Sequence, residues 1–100
     1  MDTEKLVAHA RARFDHAASR RMLKEKYQGK LVFAHAGGMW RAGPELLALL
    51  KCCSGDVVIL DLYETPVQIK AEEFYEQVYQ RWQEQLNAWV IEYEELNKNR

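Results

Sequence analysis

One hundred residues, 48% apolar and 29% charged, suffice for one globular domain with its own core and are too few for two. The longest aliphatic run, Val57 to Leu60, is far short of a membrane span, and charge from Asp2 onward is unlike a secretory leader, so a soluble cytoplasmic protein without membrane contact is expected. A net charge of -1 conceals a gradient: residues 1–30 carry eight Lys or Arg against four acids, whereas residues 71–100 carry three against seven. That opposition can orient two helices within a chain or across an interface, or present a basic surface to an acidic partner.

Thr3 to about Tyr27 contains no Gly or Pro and opens with Asp2 or Thr3 as N-cap, which predicts a helix ended by Gly29. Leu6, Val7, Ala10, Phe14, Ala17 and Ala18 share one face, while Met22, Leu23 and Tyr27 drift off it. The last turns are expected to meet a different partner or to bend near Ser19 to Arg21. Leu31 to Ala36 reads as a strand that turns at Gly37-Gly38 and returns through Met39 to Ala42. Pro44 at a first helical position launches a short helix through Leu50, where Cys52 and Cys53 are expected to fill core or face a hairpin. Adjacent cysteines rarely reach relaxed disulfide geometry, so reduced thiols are expected. Val57 to Tyr63 is the strongest strand, and the turn at Glu64-Thr65-Pro66 leads into Val67 to Ile69.

The final helix carries Glu72 and Glu73 in its first turn and a stripe of Phe74, Val78, Trp82, Leu86, Trp89, Tyr93 and Leu96, spaced three or four apart. At about 26 residues it would run roughly 39 Å, whereas a compact domain of this size has a radius of gyration near 13 Å. The stripe is therefore read as core at one end and subunit contact at the other, with Trp82, Trp89 and Tyr93 as the candidate oligomer interface. Trp82, mid-stripe, is expected to leave a large cavity when truncated.

Lys5, His9, Arg13, His16, Arg20 and Lys24 follow helical spacing and line one face of the first helix. Such a stripe can track phosphates, which makes Lys5, Arg13, Arg20 and Lys24 candidate nucleic-acid contacts, with Trp40 on a hairpin arm as a candidate base-stacking group. A solvated face, or pairing with glutamates of the last helix, is the simpler account of the stripe, and a place in the core is the simpler account of a lone Trp on a hairpin arm. His9 and His16 lie seven apart, too far for one zinc, and no third group joins Cys52, Cys53 and His35, so no metal, cofactor or catalytic set is expected. Asp61 interrupts an apolar strand and is expected to face solvent or to cap a neighbouring amide.

Met1 to Tyr27, the hairpin ending Gly37-Gly38-Met39-Trp40, and Arg81 to Trp89 together resemble a family of small proteins of unassigned role carried by tailed phages of marine cyanobacteria. That resemblance spans nearly the whole chain and implies an Sm-like fold in an infected host cell. Neither usual Sm motif is present, so the resemblance carries over no RNA-binding residue. The expected fold is α+β: a small, strongly bent antiparallel sheet (an Sm-like partial barrel) between long N- and C-terminal helices, with a short helix between two hairpins. The expected function is non-enzymatic, a protein-binding or self-assembling module forming a homo-oligomer. The alternative is an Sm-like oligomer that binds RNA or single-stranded DNA.

Overall fold

A computed structural model describes residues 3–98, with the side chains of the first helix described from Asp15 onward. The chain is α+β, with three helices and two small antiparallel sheets. Helix α1 (Thr3–Lys30) precedes strands β1 (Val32–His35) and β2 (Gly38–Arg41), and helix α2 (Pro44–Lys51) precedes β3 (Asp56–Leu60) and β4 (Pro66–Lys70). Helix α3 (Ala71–Lys98) closes the chain. Each sheet is a two-stranded hairpin, β1 with β2 and β3 with β4. A lone hairpin is marginal in water, and both gain stability by packing side chains onto the first turns of α3. Phe74 and Val78, 1% and 0% exposed, are the centre of that packing, with Trp40, Leu47, Leu50, Ile59, Val67 and Ile69 around them.

Helix α1 runs unbroken past Ser19 to Arg21 and through Gly29 to Lys30. Tyr27, which the helical pattern sets off the main stripe, is buried and stacks on Trp89 of α3, ring centroids 5.9 Å apart and 5° from coplanar. Its last turns thus meet α3. From there the chain continues toward the start of α3, where Phe33 meets Phe74, so α1 and α3 are antiparallel. With Tyr27 level with Trp89, Lys98 falls level with about residue 18 of α1, and the backbone of the first half of α1 continues past it. At 1.5 Å per residue that offset pair is about 63 Å long, in keeping with the longest dimension of 66 Å. The radius of gyration, 19.3 Å, exceeds the value near 13 Å of a compact chain of this length.

The first hairpin turns one residue earlier than the glycines suggest. His35 pairs with Gly38, so Ala36 and Gly37 form the two-residue loop, with φ of 53° and 84°. Positive φ at both positions is the type I′ signature that matches strand twist. Gly38 is needed for another reason: a Cβ there would lie 3.0 Å from Val67 Cγ2 and 3.2 Å from Asp61 Cβ. The two hairpins approach each other over a glycine.

Strand β3 ends at Leu60 rather than Tyr63 because Asp61 organises the turn. Its Oδ1 accepts the N–H groups of Tyr63 and Thr65, both at 2.9 Å, and its backbone N–H donates to the Thr65 carbonyl. Glu64 takes φ of 60° within this turn. At the other end, the Glu72 carboxylate accepts the Gly55 N–H at 3.1 Å, tying the α2–β3 connection to the first turn of α3. Cys52 is exposed and Cys53 half-buried, its thiol donating to the Leu49 carbonyl, so neither fills the core. Their place at the frayed end of a two-turn helix keeps them at the surface.

Candidate interaction groove

The α3 stripe changes character along its length. Ala71, Phe74 and Val78 are buried, Trp82, Leu86 and Trp89 are half-buried, and Tyr93 is exposed, as is Val90 on the flank of the stripe. One small domain supplies two hairpins and a short helix, enough to cover only the first two turns. Beyond them the stripe forms the floor of an open groove of about 580 Å³. One wall comes from Gln28 and Leu31 at the end of α1 and from Ala42, Pro44 and Leu46 at the start of α2. The turn after β3 adds Leu60 and Leu62. Leu60 is 60% exposed because it alternates with Ile59, which faces the core.

The α1–α3 wall is fixed by polar as well as aromatic contact. Lys26 Nζ donates to Glu92 Oε1 at 2.8 Å and lies 5.3 Å from the centre of the Tyr27 ring. The hydrogen bond from Lys26 holds the Glu92 carboxyl below its ordinary range, and the same bond raises the Lys26 ammonium. Burial, followed by its hydrogen bond to Glu92, raises the Tyr27 hydroxyl. Lys26 lies outside the basic stripe of Lys5 to Lys24, so α1 pairs with the acidic helix through a residue that the periodic pattern does not single out.

Of the candidate interface residues, Trp82 and Trp89 line the groove, and Tyr93, 37% exposed, follows one turn beyond Trp89. Leu86 joins them, as do Leu60 and Leu62, which sequence reasoning missed because their outward placement depends on where β3 ends. The nucleic-acid candidates divide. Arg20 and Lys24 are exposed on α1, while the side chains of Lys5 and Arg13 lie outside the described residues. Trp40 is corrected: its ring is 2% exposed, packed edge-on against Phe74 at 5.1 Å, and its indole N–H donates to the His35 carbonyl at 2.9 Å. A ring enclosed on that scale offers no face for a base. His16 also departs from a solvated stripe, since its Nε2 is buried and has no hydrogen-bond partner among the described residues.

Among the described residues no three His, Cys, Asp or Glu side chains converge as a metal set, and no helix is long and apolar enough to cross a membrane. Comparison with protein-family models, curated proteins and solved structures finds no match to this chain.

Proposed function

We propose that this protein is a non-enzymatic, protein-binding module that associates with itself through the aromatic face of α3. The observation that carries the reading is the open groove floored by Trp82, Leu86 and Trp89 and edged by the exposed Leu60 and Leu62. Large apolar side chains in a row, rimmed by charge, are the usual composition of a protein contact. A shared environment in an infected cell and an Sm-like origin of the strands belong to this same reading. What supports it is that Met39 of β2 exchanges two hydrogen bonds with the turn at Asp61 and Leu62, which holds the two hairpins side by side without a shared ladder. The competing reading, RNA or single-stranded DNA binding, retains the exposed Arg20 and Lys24 and loses Trp40.

Sedimentation velocity at micromolar concentration tests the proposal. A dimer or larger species is expected, and a single species at the monomer mass of 11.7 kDa would overturn it.

A further inference from the structure

The outer edge of β1 is open. The Ala42 N–H donates to the Leu31 carbonyl at 2.8 Å, so by alternation the bonded pairs of the first hairpin are Leu31 with Ala42, Phe33 with Trp40 and His35 with Gly38. The N–H and C=O groups of Val32 and Ala34 therefore point away from β2, and among the described residues nothing bonds them. On the far side of β2, Met39 is held by Asp61 and Leu62. The second hairpin guards its outer edges with Asp56, Pro66 and Lys70, whereas β1 reads Val-Phe-Ala-His, without proline, lysine or acid. Its edge opens on a hollow of about 410 Å³ whose opposite wall is Gln77, Gln80, Arg81 and Glu84 of α3. Lys70 and Glu73 line an adjoining hollow that shares His35 and Gln77 with it. Lys70, Glu73, Arg81 and Glu84 are all exposed, and none has an ion pair among the described residues.

We infer that a second copy of this chain docks on this edge, its β1 antiparallel to the first about a two-fold axis through Phe33, so that the two hairpins become one four-stranded sheet. The contact lies on the flank of the hairpin opposite the aromatic groove, and stands independently of association through that groove. Val32 then pairs with Ala34 of the partner subunit and Ala34 with Val32 of the partner subunit, which occupies every free group on the two edges. Charge selects a second copy as the occupant. The Phe74 ring lies 6.0 Å from that of Phe33 and the Arg81 guanidinium 4.8 Å from it, so the turn of α3 at Gln77 is level with Phe33. A two-fold through Phe33 sets the two α3 helices antiparallel, with Gln77 against itself, Arg81 against Glu73 of the partner subunit and Glu84 against Lys70 of the partner subunit. Each unpaired charge meets its opposite in both copies, a match that follows from the two-fold itself. Spacing agrees. Phe74 packs on both Phe33 and Trp40, so α3 runs beneath the mid-line of the hairpin. With strands about 4.8 Å apart, the two α3 axes come to about 10 Å, a helix-packing distance. One such contact closes the edge and leaves none to extend.

Edge, charge and cross-link variants test this by sedimentation equilibrium. Ala34→Pro removes an N–H that the hairpin does not use, and Arg81→Glu alters an exposed helical position, so both should keep the helical content of the unmodified protein. Ala34→Pro is expected to raise the dimer dissociation constant by at least about 30-fold, since the dimer loses that bond twice. Arg81→Glu alone should raise it by about 10-fold, and Arg81→Glu combined with Glu73→Arg should restore it, because the pair is exchanged rather than lost. In a Cys52→Ser, Cys53→Ser background, Gln77→Cys should give a disulfide-linked dimer under mild oxidation, since one thiol per chain can join only subunits. A monomeric unmodified protein would overturn both this inference and association through the groove. A dimer that Leu60→Asp dissolves at the aromatic groove, and that Ala34→Pro leaves intact, would preserve association through the groove and overturn the edge pairing. A charge exchange that restores nothing would overturn the edge pairing as well.

Discussion

The carboxylate of Asp61 accepts the backbone N–H of Met39 at 3.0 Å, while the carbonyl of Met39 accepts the N–H of Leu62 at 2.8 Å. One residue of β2 is thus held on both its polar groups by a turn of the other hairpin. Two hairpins that share no ladder are joined there, and the acid that ends β3 makes the joint.

This joint should be sensitive to acid. Hydrogen bonds from the Met39 amide, then from Thr65 and Tyr63, hold the Asp61 carboxyl below its ordinary range. Glu72 is lowered by its own amide and that of Gly55, and Glu92 by Lys26. A carboxyl whose folded pKa lies below its unfolded value stabilises the fold above the unfolded pKa and loses that contribution as pH falls through the folded one. The thermal midpoint should therefore hold steady from neutral pH to about 5 and decline below about 4. Asp61→Asn should lower the midpoint at neutral pH, and its difference from the unmodified protein should shrink in acid. A constant difference from pH 7 to 3 would remove the carboxylate from the joint.

The turn of the first hairpin offers a stabilising change. Ala36 holds φ of 53°, a region that costs an ordinary side chain about 1–2 kcal/mol and that asparagine tolerates. Ala36→Asn should raise stability by about 0.5–1 kcal/mol in urea denaturation. Gly38→Ala should cost about 1–3 kcal/mol, because its Cβ would press on Val67 and Asp61. If glycine at position 38 served the turn alone, Gly38→Asn would be tolerated equally well.

The order of seven elements was legible in hydrophobic period and in the breakers at Gly37, Pro44, Gly55 and Pro66. Boundaries were not, and each miss has a cause. Gly37-Gly38 reads as a turn from conformational freedom alone, whereas Gly38 is used for close approach to a strand nearly thirty residues away. Asp61 interrupts an apolar run and caps neighbouring amides as expected, but that it collects three of them and ends the strand there depends on the folded turn. For Trp40 the core reading holds and the base-stacking one does not, although its partners, Phe33 opposite and Phe74 below, depend on a register that the sequence does not give. The groove was half legible: helical spacing gave Trp82 and Trp89, but its second wall comes from elements distant in sequence.

Burial along α3 shifts the expected centre of stability from Trp82 toward the helix start. Phe74, 1% exposed, contacts Phe33, His35 and Trp40, with the His35 ring stacked at 4.5 Å. Phe74→Ala should cost about 3–5 kcal/mol and unfold much of the population at physiological temperature. Trp82→Ala removes a half-buried ring that opens to the groove, and at concentrations where the protein is monomeric it should cost less than Phe74→Ala. Denaturant midpoints of the two variants at low micromolar protein decide the order. A larger loss for Trp82→Ala would mean that the groove is closed in the isolated chain.

The basic stripe separates the two functional readings through salt. If Arg13 and Arg20 contacted phosphates, Arg13→Gln with Arg20→Gln would weaken single-stranded RNA binding across sequences and flatten its salt dependence by about 0.7 per lost contact. A nucleic-acid surface would also need a stacking platform, and the hairpin tryptophan that suggested one is enclosed in the core. Arg20 and Lys24 remain exposed with no ion pair among the described residues, a solvated arrangement that a helix face maintains without any ligand. The expected result is no measurable RNA affinity by fluorescence anisotropy at physiological salt, before or after the double substitution, with stability changed by less than about 1 kcal/mol. Micromolar affinity in the unmodified protein, lost in the double variant, would make nucleic-acid binding the function and the aromatic groove secondary to it.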